Sequence, residues 1–324
     1  MMIESVLEEF NFRTDSKITP LGNAGGFSGS EIWRIDSPLR GTFCLKRWPR
    51  QFQDQSRIEW IHKVLIFASI NGCPEIAKPI NTRSQKSFHY QYETIWEMTA
   101  WADGEVISPN SLNEKQVESA IETLARFHQA TARYFFNFAP SNKIVEVRDQ
   151  LLGLPVTLAA IDQHKNELAS YLRQEQWLEF KTQSPGLALD IARFLLPFSS
   201  TVFPVQPVIR DMRPDHLFFT ENRVTGLVDF GAMKVDTVAC DLSRLLGGLF
   251  EDDAHRFQKS INDYSNHRQI FPHEREVILP LNHASVVLGI ANWLKWIAVD
   301  KIRFYSPNDV GARINSLMRR FTQY

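Results

Sequence analysis

The sequence is poor in the features that would staple it covalently or send it to a membrane or a nucleic acid. It has three cysteines, Cys44, Cys73 and Cys240, odd in number and far apart. That argues against a disulfide framework and fits a reducing compartment. No CxxC pair and no histidine-rich tract suggests zinc; the nine histidines are scattered. Charge is nearly balanced, with 36 Lys and Arg against 37 Asp and Glu. A net charge of −1 supplies no field to recruit nucleic acid or an anionic bilayer. The start, MMIESVLEEFNF, has no basic segment ahead of an apolar run and is not a secretory signal. No apolar stretch is expected to span a membrane: the best, Ala284 to Ile297, is interrupted by Asn292 and Lys295. There is no internal repeat or low-complexity tract. These absences lead to the expectation of a soluble cytoplasmic protein with neither a nucleic-acid nor a membrane partner.

What is present is ordered along the chain. Residues 3 to 10 have helical periodicity, and Lys17–Leu21, Glu31–Ile35, Thr42–Trp48 and Phe88–Trp96 read as strands. A helix is expected from Gln55 to Ile70, stopped by Asn71-Gly72. Past Gly104 the pattern turns helical: Asn113 is a candidate N-cap, with Val117, Ile121, Leu124, Phe127 and Thr131 at three- and four-residue spacing. Short strands are expected at Pro207–Arg210, Leu217–Thr220 and Val224–Val228, with helices from there to the end. The division implies an α+β protein with an N-terminal sheet lobe, 1–100, and a helical C-terminal lobe, 101–324. The join would lie at Glu97 to Trp101.

Two stretches carry chemistry. The segment Ile209 to Gly231 contains Asp211, Asp215-His216 and Asp229-Phe230-Gly231. Two short strands with a turn at Glu221–Asn222 would bring Asp211 and Asp229 to one edge of a hairpin. Phosphoryl transfer needs one carboxylate to orient the attacking hydroxyl and another to hold a metal on the phosphates. Aspartates at strand ends also simply make turns. The second stretch is Leu21 to Ser30, rich in glycine between two strands, followed by Lys46 in an apolar strand. Glycine lets backbone N–H groups approach a phosphate. A lysine on such a strand needs a partner, and Glu59 on the next helix is the natural one. The bland reading is a loose hairpin, a snorkelling lysine and a solvated glutamate.

Loop, Lys46, Glu59, inter-lobe segment, Asp211 and Asp-Phe-Gly follow one another as in the protein-kinase-like fold. The chain resembles the aminoglycoside phosphotransferase family, which includes choline-kinase-like enzymes. WEMTAWADGE (Trp96 to Glu105) is similar to that family's hinge. LARFHQAT (Leu124 to Thr131) is similar to its Leu-x-x-Leu-His helix. The segment 208–246 is similar to its catalytic and metal-binding stretch, including the Asp241-Leu242 step. The resemblance implies a two-lobed kinase that transfers a phosphoryl group from ATP to a hydroxyl of a small molecule. It gives Asp211 the catalytic-base position and Asp229 the metal position. Lys46 would hold the phosphates, fixed by Glu59, and Gly25, Gly26, Phe27, Ser28 and Gly29 would cover them. Backbone groups of Glu97, Met98 and Thr99 would receive adenine.

The family's His-Gly-Asp-x-His-x-x-Asn is altered here: Ile209, Arg210 and Arg213 replace its first histidine, glycine and second histidine. His216 replaces its metal-binding asparagine. The implied cofactors are ATP and Mg²⁺, with Mn²⁺ favoured if the His216 imidazole ligates. The rivals are a nucleotide-binding pseudokinase acting through a protein partner, and an interaction protein that binds no nucleotide. For the acceptor, Glu251-Asp252-Asp253 and the aromatics Trp293, Trp296 and Phe304 suit a cation, or else a solvated loop and core packing.

Overall fold

The computed structural model describes residues 2–12, 15–22, 29–52, 54–251, 253–302, 304 and 306–324. The chain begins with α1 (Met2–Glu9), β1 (Lys17–Gly22), β2 (Glu31–Ser37) and β3 (Gly41–Arg47). Next come α2 (Gln55–Ile70), β4 (His89–Gln91), β5 (Thr94–Ala100) and α3 (Glu114–Tyr134). β6 (Asn137–Pro140), α4 (Asn142–Leu152), α5 (Leu154–Asp162), α6 (Gln174–Leu195) and β7 (Val202–Val208) follow. The hairpin β8 (Leu217–Thr220) and β9 (Arg223–Leu227) precedes β10 (Lys234–Asp236). Four helices close the chain: α7 (Ala239–Phe250), α8 (Ala254–His267), α9 (Pro272–Ala298) and α10 (Pro307–Phe321). The chain forms two compact units, Met1–Phe135 with Pro214–Met233, and Phe136–Arg213 with Lys234–Tyr324.

The first unit is built on an antiparallel sheet of order β1-β2-β3-β5-β4. Alternation along β3 and β5 sends Leu45 and Met98 to one face, where they join Val6 and Leu7 of α1 and Phe10 just after it in a buried cluster. Lys46 and Glu97, direct cross-strand partners, share the opposite face. There α2 buries Ile58, Ile61, His62 and Leu65. Its Asp54 N-cap accepts from the Arg57 N–H at 3.0 Å, and it stops at Asn71 as expected. Asn113 and Gln116 form the capping box of α3, whose five expected apolar-face residues are all buried. The β8–β9 hairpin is held on α3: Gln116 Nε2 donates to the Glu221 carbonyl at 2.7 Å, and Val224 N–H to Ser119 Oγ at 3.0 Å.

Phe88–Trp96 is not one strand. β4 and β5 are joined by a two-residue turn in which Tyr92 and Glu93 have φ of 54° and 57°. That is the backbone hairpins prefer, built here without the Asn-Gly that signals it. Gly104 closes the path from β5 to α3 with φ of 96°; a Cβ there would meet the Phe219 carbonyl oxygen at 2.5 Å.

The second unit surrounds α9, which packs against α4, α5, α6, α7 and α10. By length and composition this 27-residue helix could cross a membrane, contrary to the expectation for the Ala284–Ile297 stretch. Its most apolar window is 67% buried inside the protein, where Ile278, Leu281, Val286, Ile290 and Leu294 form core. A small sheet of order β10-β7-β6 completes the unit. Sequence reading placed β7 too late and omitted β6 and β10. Pro204 and Pro207 interrupt the β7 pattern, and three- or four-residue strands have almost no periodicity to read.

Candidate active site

Lys46 lies on the α2 side of the sheet, with only 15% of its side chain exposed. Its ammonium is 3.4 Å from Asp229 Oδ1, across 183 residues of sequence, and 3.9 Å from Glu97 Oε1. It also sits 4.4 Å from the centre of the Trp48 ring. Burial disfavours the charged lysine, but Asp229 and Glu97 outweigh it and raise its pKa.

Glu97 is the carboxylate that sequence reading missed. Burial pushes it up, yet the hydrogen bond from His62 and the charge of Lys46 bring it below the usual carboxylate value. His62 Nε2 lies 2.8 Å from Glu97 Oε2. The signal was available: Glu97 stands between Trp96 and Met98 in a strand as apolar as that of Lys46. Glu59 is not the partner. Helical phase puts Ile58, Ile61 and His62 inward and Glu59 outward, where it pairs with Lys63 at 2.7 Å and is 54% exposed. The helix contributes an imidazole to the lysine site through Glu97.

Asp229 follows β9 with φ of 62°, in the left-handed region that costs a non-glycine residue about 1 kcal/mol. Phe230 is buried and stacks on Phe127 of α3 at 5.9 Å. The Gly231 carbonyl accepts from Arg57 Nη2 at 2.8 Å. These contacts anchor the residues after Asp229. His216 reaches the same carboxylate, its Nε2 lying 3.5 Å from Asp229 Oδ2, and its carbonyl accepts the Val228 N–H at 3.1 Å. The hairpin thus carries His216 at its start and Asp229 at its end. Among the described residues no group of three or more His, Cys, Asp or Glu is arranged to hold a metal. One carboxylate with an imidazole beside it fits a cation that takes its remaining ligands from phosphates and water.

Glu97, Met98 and Thr99, expected to offer backbone groups to adenine, lie inside β5. β5 is laddered to β3, and on its other side the Met98 carbonyl accepts from Ile80 N–H at 2.7 Å. Past the strand, Trp101 N–H still donates to the Thr42 carbonyl, while the Ala102 backbone has no partner among the described residues. Gly29 has φ of 79°, with Pro49 the nearest neighbour to a Cβ there; Gly25, Gly26, Phe27 and Ser28 lie outside the described residues.

Asp211 belongs to the second compact unit rather than to the hairpin. Its loop is braced by Asp241, which is fully buried and accepts the N–H groups of Ile209 at 2.7 Å and Arg210 at 2.6 Å. Arg210 has φ of 68°, in the left-handed region. Its side chain forms an ion pair with Glu146. Asp211 is itself engaged: Arg244, a turn after Asp241 on α7, places Nη2 2.6 Å and Nε 3.2 Å from Asp211 Oδ1. Of the acidic run, Asp253 caps α8, Glu251 ends α7 and Asp252 lies outside the described residues. Trp293 meets Trp296 at 5.1 Å and Phe304 at 5.4 Å and is 7% exposed, which is core packing.

The profile of the phosphotransferase enzyme family matches residues 19–275. The chain belongs to that family. No curated protein sequence matches it. Among solved structures it is similar to an amicoumacin kinase in complex with AMP-PNP, Ca²⁺ and Ami, at 13% identity and a TM-score of 0.65. That match covers 96% of this chain and 89% of the other. It is similar to a spectinomycin phosphotransferase in complex with ADP and spectinomycin, at 13% identity and a TM-score of 0.63, covering 99% and 93%. A choline/ethanolamine kinase family protein from Mesorhizobium loti matches at 16% identity and 0.56, covering 100% and 97%. At these identities the neighbours show the fold: α+β and kinase-like, with a small antiparallel sheet lobe.

Proposed function

We propose that the protein transfers the γ-phosphoryl group of ATP to a hydroxyl of a small molecule. The observation that carries this reading is Lys46, a mostly buried ammonium within 3.4 Å of the aspartate of Asp-Phe-Gly. A lysine and an aspartate so paired form a receptor for a nucleotide's phosphates and their cation. The neighbours' complexes with AMP-PNP and Ca²⁺ or with ADP support ATP and a divalent ion.

Lys46 binds phosphate oxygens, held in place by Glu97, which His62 in turn positions. Asp229 holds Mg²⁺, with His216 beside it as a second donor; the ion, when bound, offsets charge developing on the transferred group. Adenine meets the backbone at Ala102, just beyond β5. Asp211, on a loop braced by Asp241, accepts the hydrogen bond of the acceptor hydroxyl and orients it for attack. The rival reading is a protein that binds nucleotide without transferring phosphate, and the observation favouring it is the Arg244 pair on Asp211.

Titration calorimetry with Mg-ATP tests the nucleotide half. Asp229→Asn, chosen because asparagine tolerates positive φ, should lose metal-dependent binding with unchanged circular dichroism. Equal affinity in variant and parent would end the metal assignment. ADP release with a panel of hydroxylated compounds separates transfer from binding alone.

A further inference from the structure

Arg57 stands in the first turn of α2, where the helix dipole disfavours a cation, so the helix gains nothing from its charge. Its side chain instead reaches across 174 residues of sequence to the Asp-Phe-Gly step, where Nη2 donates to the Gly231 carbonyl at 2.8 Å. The guanidinium also lies 5.0 Å from the centre of the Phe52 ring, and Phe52 stacks on Trp48 at 4.5 Å. Trp48 in turn has the Lys46 ammonium 4.4 Å from its own ring centre. Two cations thus share one aromatic pair. Each reaches a different acceptor on the same step: Lys46 the Asp229 carboxylate, Arg57 the Gly231 carbonyl. Trp48 closes the ring of contacts. It is 6% exposed, and a Cβ on Gly231 would stand 3.0 Å from its ring, so glycine is what lets the two meet. The aromatic pair is itself seated in a cluster with Ile58, Phe88 and Ile95 of the first unit.

Asp229 therefore lies between two fixed points. Before it, the Val228 N–H donates to the His216 carbonyl at 3.1 Å; after it, Phe230 stacks on Phe127 and Gly231 is held by Arg57 and Trp48. A residue with φ of 62° keeps that backbone only where its surroundings over-determine it. Building on the reading that Asp229 holds the cation, we propose that Arg57 is a positioning residue for the metal. Through the Gly231 carbonyl it fixes the direction in which the Asp229 carboxylate is presented, without itself touching ion or nucleotide. The effect falls on the metal rather than on the phosphates. Mg²⁺ demands near-ideal octahedral geometry and tolerates little displacement of a ligand. Lys46 meets phosphate as a point charge on a flexible stem and follows a small shift. Releasing Gly231 loosens the metal and leaves the lysine's grip on phosphate as it was.

Titration calorimetry of the full chain with ATP, in EDTA and across a series of Mg²⁺ concentrations, separates the two effects. In Arg57→Gln the affinity for Mg-ATP should fall by about tenfold, the worth of one charge-assisted hydrogen bond, and more Mg²⁺ should be needed for half of the metal's gain. The affinity for ATP in EDTA should match the parent's. Arg57→Lys, which keeps a charged donor but loses the planar fork, should recover part of the loss. Phe52→Leu leaves Arg57 in place and removes the ring beneath it. It should weaken Mg-ATP binding in the same direction by a smaller factor, and it carries the test if the Arg57 variants fold poorly. Unchanged Mg-ATP affinity in the variants overturns the proposal. So does an equal loss with and without metal, which would make Arg57 a phosphate ligand or a prop of the fold as a whole. A parent whose ATP affinity does not depend on Mg²⁺ is a different failure: it removes the cation from Asp229, and this inference with it.

Discussion

Which glutamate stands beside Lys46, in addition to Asp229, is set by direction rather than by sequence distance. Glu97 is directly opposite Lys46 across the β3–β5 ladder, whereas Glu59 is on the outer side of α2. Replacing Glu97 with glutamine should therefore destabilise the fold by about 1–3 kcal/mol, the usual loss for a buried charged hydrogen bond, and weaken ATP binding. Glu59→Ala should fall within about 0.5 kcal/mol of the parent, as exposed substitutions do. Chemical denaturation of both variants with ATP titrations checks the contrast. The pH dependence has a definite sign. Because the folded state lowers Glu97 below its ordinary 4.5, its contribution is fully present above that value and is lost as pH falls through the folded pKa. The parent should thus lose stability below about pH 4.5 more steeply than Glu97→Gln. His216 yields another residue-scale test. An imidazole 3.5 Å from Asp229 should tilt ATP affinity toward Mn²⁺ over Mg²⁺, and His216→Asn should tilt it back. An identical metal preference in parent and variant would remove His216 from the metal's surroundings.

Among the elements, those announced by strong local chemistry were read correctly, and those announced by none were not. The capping box at Asn113 and Gln116, the apolar stripe of α3 and the Asn71-Gly72 stop are self-contained signals, each complete within one turn or two. The β4–β5 turn has no such signal, because Tyr92 and Glu93 are residues that avoid positive φ. The turn is held instead by its surroundings: Trp96 Nε1 donates to the Gln91 carbonyl at 3.2 Å, and Thr94 Oγ1 to the same oxygen at 3.1 Å. Substituting Asn for Tyr92 and Gly for Glu93 should relieve that backbone and stabilise the protein by about 1 kcal/mol or more. A urea midpoint that falls in the double variant would show that the two side chains matter more than the backbone strain.

At the scale of the whole molecule, the nucleotide's expected contacts come from segments that are distant in the chain and gathered in the first compact unit: β3, β5, α2 and the hairpin. Mg-ATP at a hundred times its Kd should add about 2.7 kcal/mol to stability. Hydrogen exchange should slow in β3, β5 and the residues after β9, and both effects should be absent in Asp229→Asn. The amino-acid sequence by itself determined what is local: the caps and apolar stripes, the Asp-Phe-Gly step and the family. It also marked Lys46 and Asp229, because a charge in an apolar strand and an aspartate after one are visible without a fold. Only the tertiary structure decided who meets whom. Strand register put Glu97 opposite Lys46, helical phase turned His62 in and Glu59 out, and α7 laid Arg244 on Asp211. Such pairings depend on register and phase between elements far apart in the chain, and a shift of one residue reverses the outcome while leaving every local signal unchanged.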